Sequence, residues 1–131
     1  MSTDIRPEVS SRSRWYIPRE RYYELKHFCR QYRSWVLESV DICGKYPSEE
    51  VGRDELTEEQ YERRELLKSK ISLVESIAKE SEPSIANYIL LAVCDGVPYT
   101  NLRYKLGMPC GKDYFYDRYR KFFWLLNIRR K

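Results

Sequence analysis

The sequence predicts an all-α fold, arranged as a single domain of about five helices. Apolar residues recur at steps of three and four along most of the chain, which is the spacing of one face of an α-helix. No segment alternates between apolar and polar residues for long enough to predict a strand. The length of 131 residues, with 42% apolar and 34% charged residues, suits one soluble domain with its own core.

The first predicted helix begins near Pro18, because proline is well tolerated in the first turn of a helix. One continuous apolar stripe runs through Leu25, Phe28, Tyr32 and Trp35 to residue 40. A glycine and a proline, at positions 44 and 47, end this helix. The acidic residues 48–56 that follow are predicted to form a loop.

The second predicted helix begins with a capping box, in which Thr57 and Gln60 each bond the other's backbone N–H. An apolar stripe at residues 67, 71, 74 and 78 carries this helix to about Lys79. Pro83 ends it and starts a third helix, because a proline restricts the residue before it and suits a first helical turn. Gly96 is the stop signal of that third helix.

The chain begins with residues 1–14, which are rich in Ser, Thr, Pro and Arg and poor in apolar side chains. That composition predicts a flexible arm. The helical domain then spans residues 15–131.

Several classes of function lack their usual residues in this sequence. The four cysteines are scattered without a CxxC pair, and His27 is the single histidine, so we expect no metal site, no disulfide framework and no histidine-based catalysis. Glycine-rich phosphate loops and the common hydrolase motifs are absent as well. We therefore expect a protein that is not an enzyme and needs no cofactor. Without a signal peptide or a long apolar run, it is expected to be cytoplasmic and to have no membrane partner.

Charge is separated along the chain. From Tyr99 onward there are nine lysines and arginines against two aspartates, a net charge of +7, which leaves −3 for the remainder of the overall +4. A protein with this distribution has one surface that attracts an anionic polymer.

The basic segment has the organisation of a helix-turn-helix, which we place at residues 84–127. A short helix over residues 99–106 is followed by Gly107 and then by a helix that is dense in aromatic and basic residues. Leu102 and Leu106 are expected to face the core from the short helix. The inward face of the second helix is expected to consist of Phe115, Tyr119, Phe122 and Leu126.

The polar and basic residues on the other faces of this motif are the candidate nucleic-acid contacts. Arginine can form two hydrogen bonds with guanine, while lysine, tyrosine, threonine and asparagine commonly contact phosphates, and aspartate accepts from cytosine. The predicted contact residues are Tyr99, Thr100, Asn101, Arg103, Lys105, Lys112, Tyr116, Asp117, Arg120, Lys121, Arg129 and Arg130.

Residues 92–99, Gly107 to Cys110 and the aromatic run 114–126 resemble small bacteriophage and prophage proteins. Those proteins are grouped with the RinA- or ArpU-like late-gene transcriptional regulators, and their C-terminal part is similar to the helix-turn-helix of sigma factor region 4. The resemblance implies that residues 99–106 form a supporting helix and residues 111–126 a recognition helix. It also implies a DNA-binding transcriptional regulator, with duplex DNA as the partner.

Other functions remain compatible with the same residues. The protein is a candidate inhibitor of a host nuclease or defence complex, similar to an anti-CRISPR protein, or a small DNA-packaging subunit. Host RNA polymerase or another host protein is a further candidate partner, and a homo-oligomer is possible.

Overall fold

The computed structural model describes residues 14–130, and in this range the protein is all-α and contains no strand. Six α-helices follow one another, and the predicted fold class is confirmed. Their bounds are α1 (Arg19–Cys29), α2 (Tyr32–Cys43), α3 (Glu58–Ser81), α4 (Ala86–Asp95), α5 (Tyr99–Tyr104) and α6 (Lys112–Arg129). Two short 3-10 turns, Arg53–Glu55 and Pro83–Ile85, precede α3 and α4. Residues 1–13 of the predicted arm lie outside the described residues.

The single helix predicted after Pro18 is in fact two helices, α1 and α2. They are separated at Arg30 and Gln31, both of which keep right-handed helical backbone angles. The Gln31 N–H donates to the carbonyl of Phe28 at 3.2 Å, three residues back, so the backbone tightens there. No glycine or proline marks this break, which is why the continuous apolar stripe concealed it.

The longest helix, α3, begins at the predicted capping box. The Gln60 N–H donates to Thr57 Oγ1 at 3.1 Å, and the Thr57 N–H donates to Gln60 Oε1 at 3.0 Å. These two bonds satisfy backbone donors that have no partner within the helix. α3 packs against α2, α4 and α6, and thereby forms the centre of the domain.

Aromatic side chains join α6 to α1. The ring centroids of Tyr22 and Phe123 are 5.1 Å apart in an edge-to-face arrangement, and the hydroxyls of Tyr22 and Tyr119 are 3.2 Å apart. Phe115, Tyr119, Phe122 and Leu126 are all buried, as the sequence predicted. Each fully buried side chain of this size contributes about 1.5–3 kcal/mol of hydrophobic free energy. α6 is therefore a core helix for most of its length.

In the part of the chain that the structure describes, no helix has the length and apolar character needed to cross a membrane.

Candidate nucleic-acid interface

The turn between α5 and α6 (residues 105–111) is a compact, internally bonded segment. α5 ends at Tyr104, and Gly107 has a φ of 74°, a left-handed conformation that favours glycine. The chain then folds back, so that the Met108 N–H donates to the carbonyl of Leu102 at 2.8 Å and the Met108 side chain is fully buried. The buried methionine attaches the middle of the turn to the core.

The assignment of Leu106 to the core is wrong. Its side chain is 50% exposed, because α5 ends two residues before it and the helical phase no longer applies. Leu102 is buried as predicted, and Met108 takes the second core position.

Three long side chains bond to backbone carbonyls of this turn. Tyr88 Oη donates to the carbonyl of Leu106 at 3.2 Å, and Tyr99 Oη donates to that of Cys110 at 3.3 Å. Arg103 Nη1 donates to the carbonyl of Met108 at 3.0 Å. Because the bonds come from α4 and α5 and reach both halves of the turn, the turn has a defined conformation.

The basic side chains around this turn have no carboxylate partner among the described residues. Arg103, Lys105 and Lys112 are exposed, as is Thr100, while Asn101 is half-buried. Within residues 14–130 no ion pair involves any of these side chains, and Lys112 Nζ instead lies 5.8 Å from the ring centroid of Tyr116. We call Arg103, Lys105 and Lys112 the turn cations.

The first turn of α6 is also exposed, at Lys112, Asp113 and Tyr114. Its N-cap is Gly111, and no side chain caps the backbone N–H groups there. Uncapped N–H groups at a helix start favour anions, and Asp113 supplies one negative charge to them from within the chain. Tyr114 Oη donates to Glu82, and this hydrogen bond lowers the pKa of the Glu82 carboxyl.

The basic residues at the C-terminal end of α6 lie against other helices and are not free contacts. Arg129 forms two hydrogen bonds with Glu80 of α3, one of them 2.7 Å long, and these lower the pKa of Glu80. The guanidinium of Arg130 lies 4.0 Å from the centroid of the Phe28 ring, and its carbonyl accepts from Arg21. The sequence predicted both arginines as nucleic-acid contacts, and the structure separates them from the turn cations.

Part of the outer face of α6 is covered by Trp15, which precedes α1. Trp15, only 8% exposed, contacts Trp124 edge-to-face with 5.2 Å between centroids, and its indole N–H donates to Asp117 Oδ1 at 3.0 Å. Lys121 Nζ lies 5.8 Å from the same indole. Asp117 also pairs with Arg118. Burial alone would raise the pKa of Asp117, but the hydrogen bonds from Arg118 and Trp15 outweigh it and lower the pKa.

The remaining predicted contacts on α5 and α6 are half-buried. The rings of Tyr99 and Tyr116 contact each other with 5.9 Å between centroids, and both contact Phe115. Burial raises the pKa of Tyr116, and the charge of Arg120 opposes that shift. Tyr116 therefore belongs to the edge of the core, while Arg120 is half-exposed one turn further along.

Among the described residues, no three His, Cys, Asp or Glu side chains are grouped in a way that could hold a metal ion. Burial raises the pKa of the Cys29 thiol well above its ordinary value and that of Cys94 to about 12. Both thiols are protonated at neutral pH, so neither is a ready nucleophile.

Tyr104, which lies between the turn cations Arg103 and Lys105 in the chain, was not among the predicted contacts. Its side chain is 78% exposed, more than any other large apolar or aromatic side chain in the described range. It follows the buried Leu102 by two residues, and positions two apart on a helix point in different directions. This two-residue offset from a core position was the sequence signal that could have predicted an exposed Tyr104.

No protein-family model, curated protein or solved structure matches this chain.

Proposed function

We propose that this protein binds duplex DNA through α5, the turn of residues 105–111 and the first turn of α6, and that it acts as a transcriptional regulator. The observation that carries the proposal is the set of turn cations. These three basic side chains are exposed, close in sequence and unpaired in the described structure, whereas Arg118 and Arg129 of the same basic segment form ion pairs.

Unpaired cations are the ones that contribute most to DNA binding. When a lysine or arginine neutralises a phosphate, a condensed counterion is released, and this release drives sequence-independent affinity. An arginine that already faces a carboxylate must first lose that partner. The turn cations do not have this requirement, so we expect them to supply most of the affinity.

The geometry also limits how the protein would approach a groove. From Phe115 to Asn127 every side chain of α6 is buried or half-buried, so the first turn is the part that can best reach a base edge. In helix-turn-helix proteins the N-terminal residues of the recognition helix contact the bases. On this proposal, Asp113 is placed nearest the bases, with the turn cations on the phosphates.

The test is a titration of duplex binding at several salt concentrations, with wild type and a Lys105→Gln, Lys112→Gln double variant. Each lost phosphate contact makes the negative slope of log affinity against log salt less steep by about 0.9. We therefore expect the slope of the double variant to be less steep than that of wild type by about two. The matched control is Arg53→Gln with Arg63→Gln, which also removes two charges but from ion-paired positions near α3. Its slope should equal that of wild type.

Absence of duplex binding at low salt would contradict the proposal and favour a protein partner, as in an inhibitor of a host nuclease. Selection of binding sites from random duplexes then addresses regulation. An enriched sequence supports a regulator, whereas binding without enrichment supports a packaging or structural role.

A further inference from the structure

Tyr104 presents an aromatic ring to solvent between two of the turn cations. Arg103 and Lys105 are its neighbours in the chain, and the Arg103 guanidinium carbon lies 5.9 Å from the centroid of the Tyr104 ring. The ring is 78% exposed, and its hydroxyl has no hydrogen-bond partner among the described residues. The hydroxyls of Tyr88, Tyr99 and Tyr114 nearby are all bonded.

The backbone beneath this ring is well defined. The N–H groups of Lys105 and Leu106 both donate to the carbonyl of Asn101 at 3.0 Å. Arg103 is itself bonded to the carbonyl of Met108. A tyrosine on a fixed backbone has only two side-chain torsions to order on binding, so it can form a contact at low entropic cost.

The other aromatic side chains of this surface are less exposed than Tyr104 and already have partners. Tyr114 is 47% exposed, and its hydroxyl is bonded to Glu82. Tyr99 and Tyr116 contact each other. Within the described part of this surface, Tyr104 has the most exposed ring, and the residues on either side of it in the chain are unpaired cations.

An open ring next to unpaired cations has the chemistry that recognises a nucleotide. The cations attract the phosphate, and the ring stacks on the base, since every base has a π-face. In an intact duplex both faces of each base are covered by its neighbours. Stacking therefore requires a base that has left the helix, and one open ring accommodates one such base.

We propose that Tyr104 stacks on a single unpaired base in otherwise duplex DNA, while Lys105 and Lys112 contact the flanking phosphates. This inference rests on the proposed function and narrows its target to duplexes that are opened at one position. Proteins that bind long single strands stack successive bases on several aromatic side chains. The single open ring favours the opened duplex over a continuous single strand.

The test compares three DNA probes of the same sequence: an intact duplex, a duplex with one bulged 2-aminopurine, and the single strand. Wild type should bind the bulged duplex more tightly than the intact one by roughly five- to a hundredfold, the range that stacking of one base supports. Binding should quench the 2-aminopurine fluorescence. Tyr104→Ala should remove both the preference and the quenching, and Tyr104→Phe should keep them because its ring still stacks.

Tyr46→Ala is the matched control, because Tyr46 is 63% exposed but lies in the loop between α2 and α3. It should bind all three probes as wild type does, and thermal melting should show that both alanine variants remain folded. Equal binding of intact and bulged duplex, unchanged by Tyr104→Ala, would overturn the stacking inference and leave duplex binding intact. Preference for the single strand over the bulged duplex would overturn the choice of target. No binding of any probe at low salt would overturn both proposals.

Discussion

The two longest connections between helices, residues 44–57 before α3 and residues 105–111 before α6, are attached to the domain in different ways. The first is held by the buried Pro47 and by one buried arginine: Arg64 of α3 is 3% exposed and donates to the carbonyls of Tyr46 at 2.8 Å and Glu49 at 2.9 Å. The second is held by a buried apolar side chain, Met108, and by Tyr88, Tyr99 and Arg103.

Their charges differ as well. The two basic residues within the first connection are ion-paired, Arg53 with Glu58 at 2.6 Å and Lys45 with Glu55 at 3.7 Å. Around the second, the turn cations have no such partners in the described structure. A similar local density of basic residues therefore leaves very different amounts of positive charge available to a partner. Ion pairing and net charge together distinguish the candidate interface from the surface around the first connection.

The largest expected effect concerns the anchor of the second connection. Met108→Ala should lower the free energy of unfolding by about 2–5 kcal/mol, because it removes a fully buried side chain and leaves a cavity. Urea denaturation would measure this. Leu106→Ala is the control and should change stability by no more than about 0.5 kcal/mol, as an exposed position does. A larger loss from Leu106→Ala than from Met108→Ala would mean that the core position belongs to Leu106 after all.

An intermediate effect is expected at the glycines of the two connections. Gly44 and Gly107 have φ values of 73° and 74°, and an added Cβ would meet no atom within 4 Å at either. Alanine should therefore cost about 1–2 kcal/mol at each position through backbone strain alone. The two variants should differ in binding: Gly107→Ala should weaken DNA affinity and Gly44→Ala should not. Fluorescence anisotropy would measure the DNA affinity of each variant. Equal affinities for the two variants would mean that the conformation of the turn does not affect DNA binding.

The smallest effect concerns an exposed ion pair near the first connection. The hydrogen bond from Arg63 to Glu38, 2.9 Å between Nη2 and Oε1, lowers the pKa of Glu38 below its ordinary value of 4.5. A lowered carboxylate pKa stabilises the folded state above pH 4.5, and the contribution disappears as the pH falls through the folded-state value. Glu38→Gln should thus lower the Tm slightly at pH 7 and not at pH 2.

The control for this measurement is Glu62→Gln, which removes an exposed carboxylate of α3 that forms no ion pair in the described structure. The difference in Tm between Glu62→Gln and wild type should be the same at pH 7 and at pH 2. A pH-independent Tm difference for Glu38→Gln would show that the pair with Arg63 contributes nothing to stability.

Much of the fold was predictable because its signals are local. The Thr57 capping box, the stop at Gly96 and the buried stripe of α6 depend on residues within one or two turns of each other, and the structure contains all of them. The charge separation and the exposed basic residues of 99–112 were equally visible in the sequence, because they follow from composition and helical phase. Whether these residues bind DNA stays a prediction.

The all-α class, most helix ends and the inward face of α6 follow from local sequence signals, since capping, glycine conformation and helical periodicity act between near neighbours. Three other features depend on contacts between distant parts of the chain. Trp15 covers part of the outer face of α6 from more than a hundred residues away, Met108 replaces Leu106 in the core, and the ion pairs of Asp117 and Glu80 remove two arginines from the available charge. The physical reason is that helical phase specifies which way a side chain points, but not which distant segment packs against it.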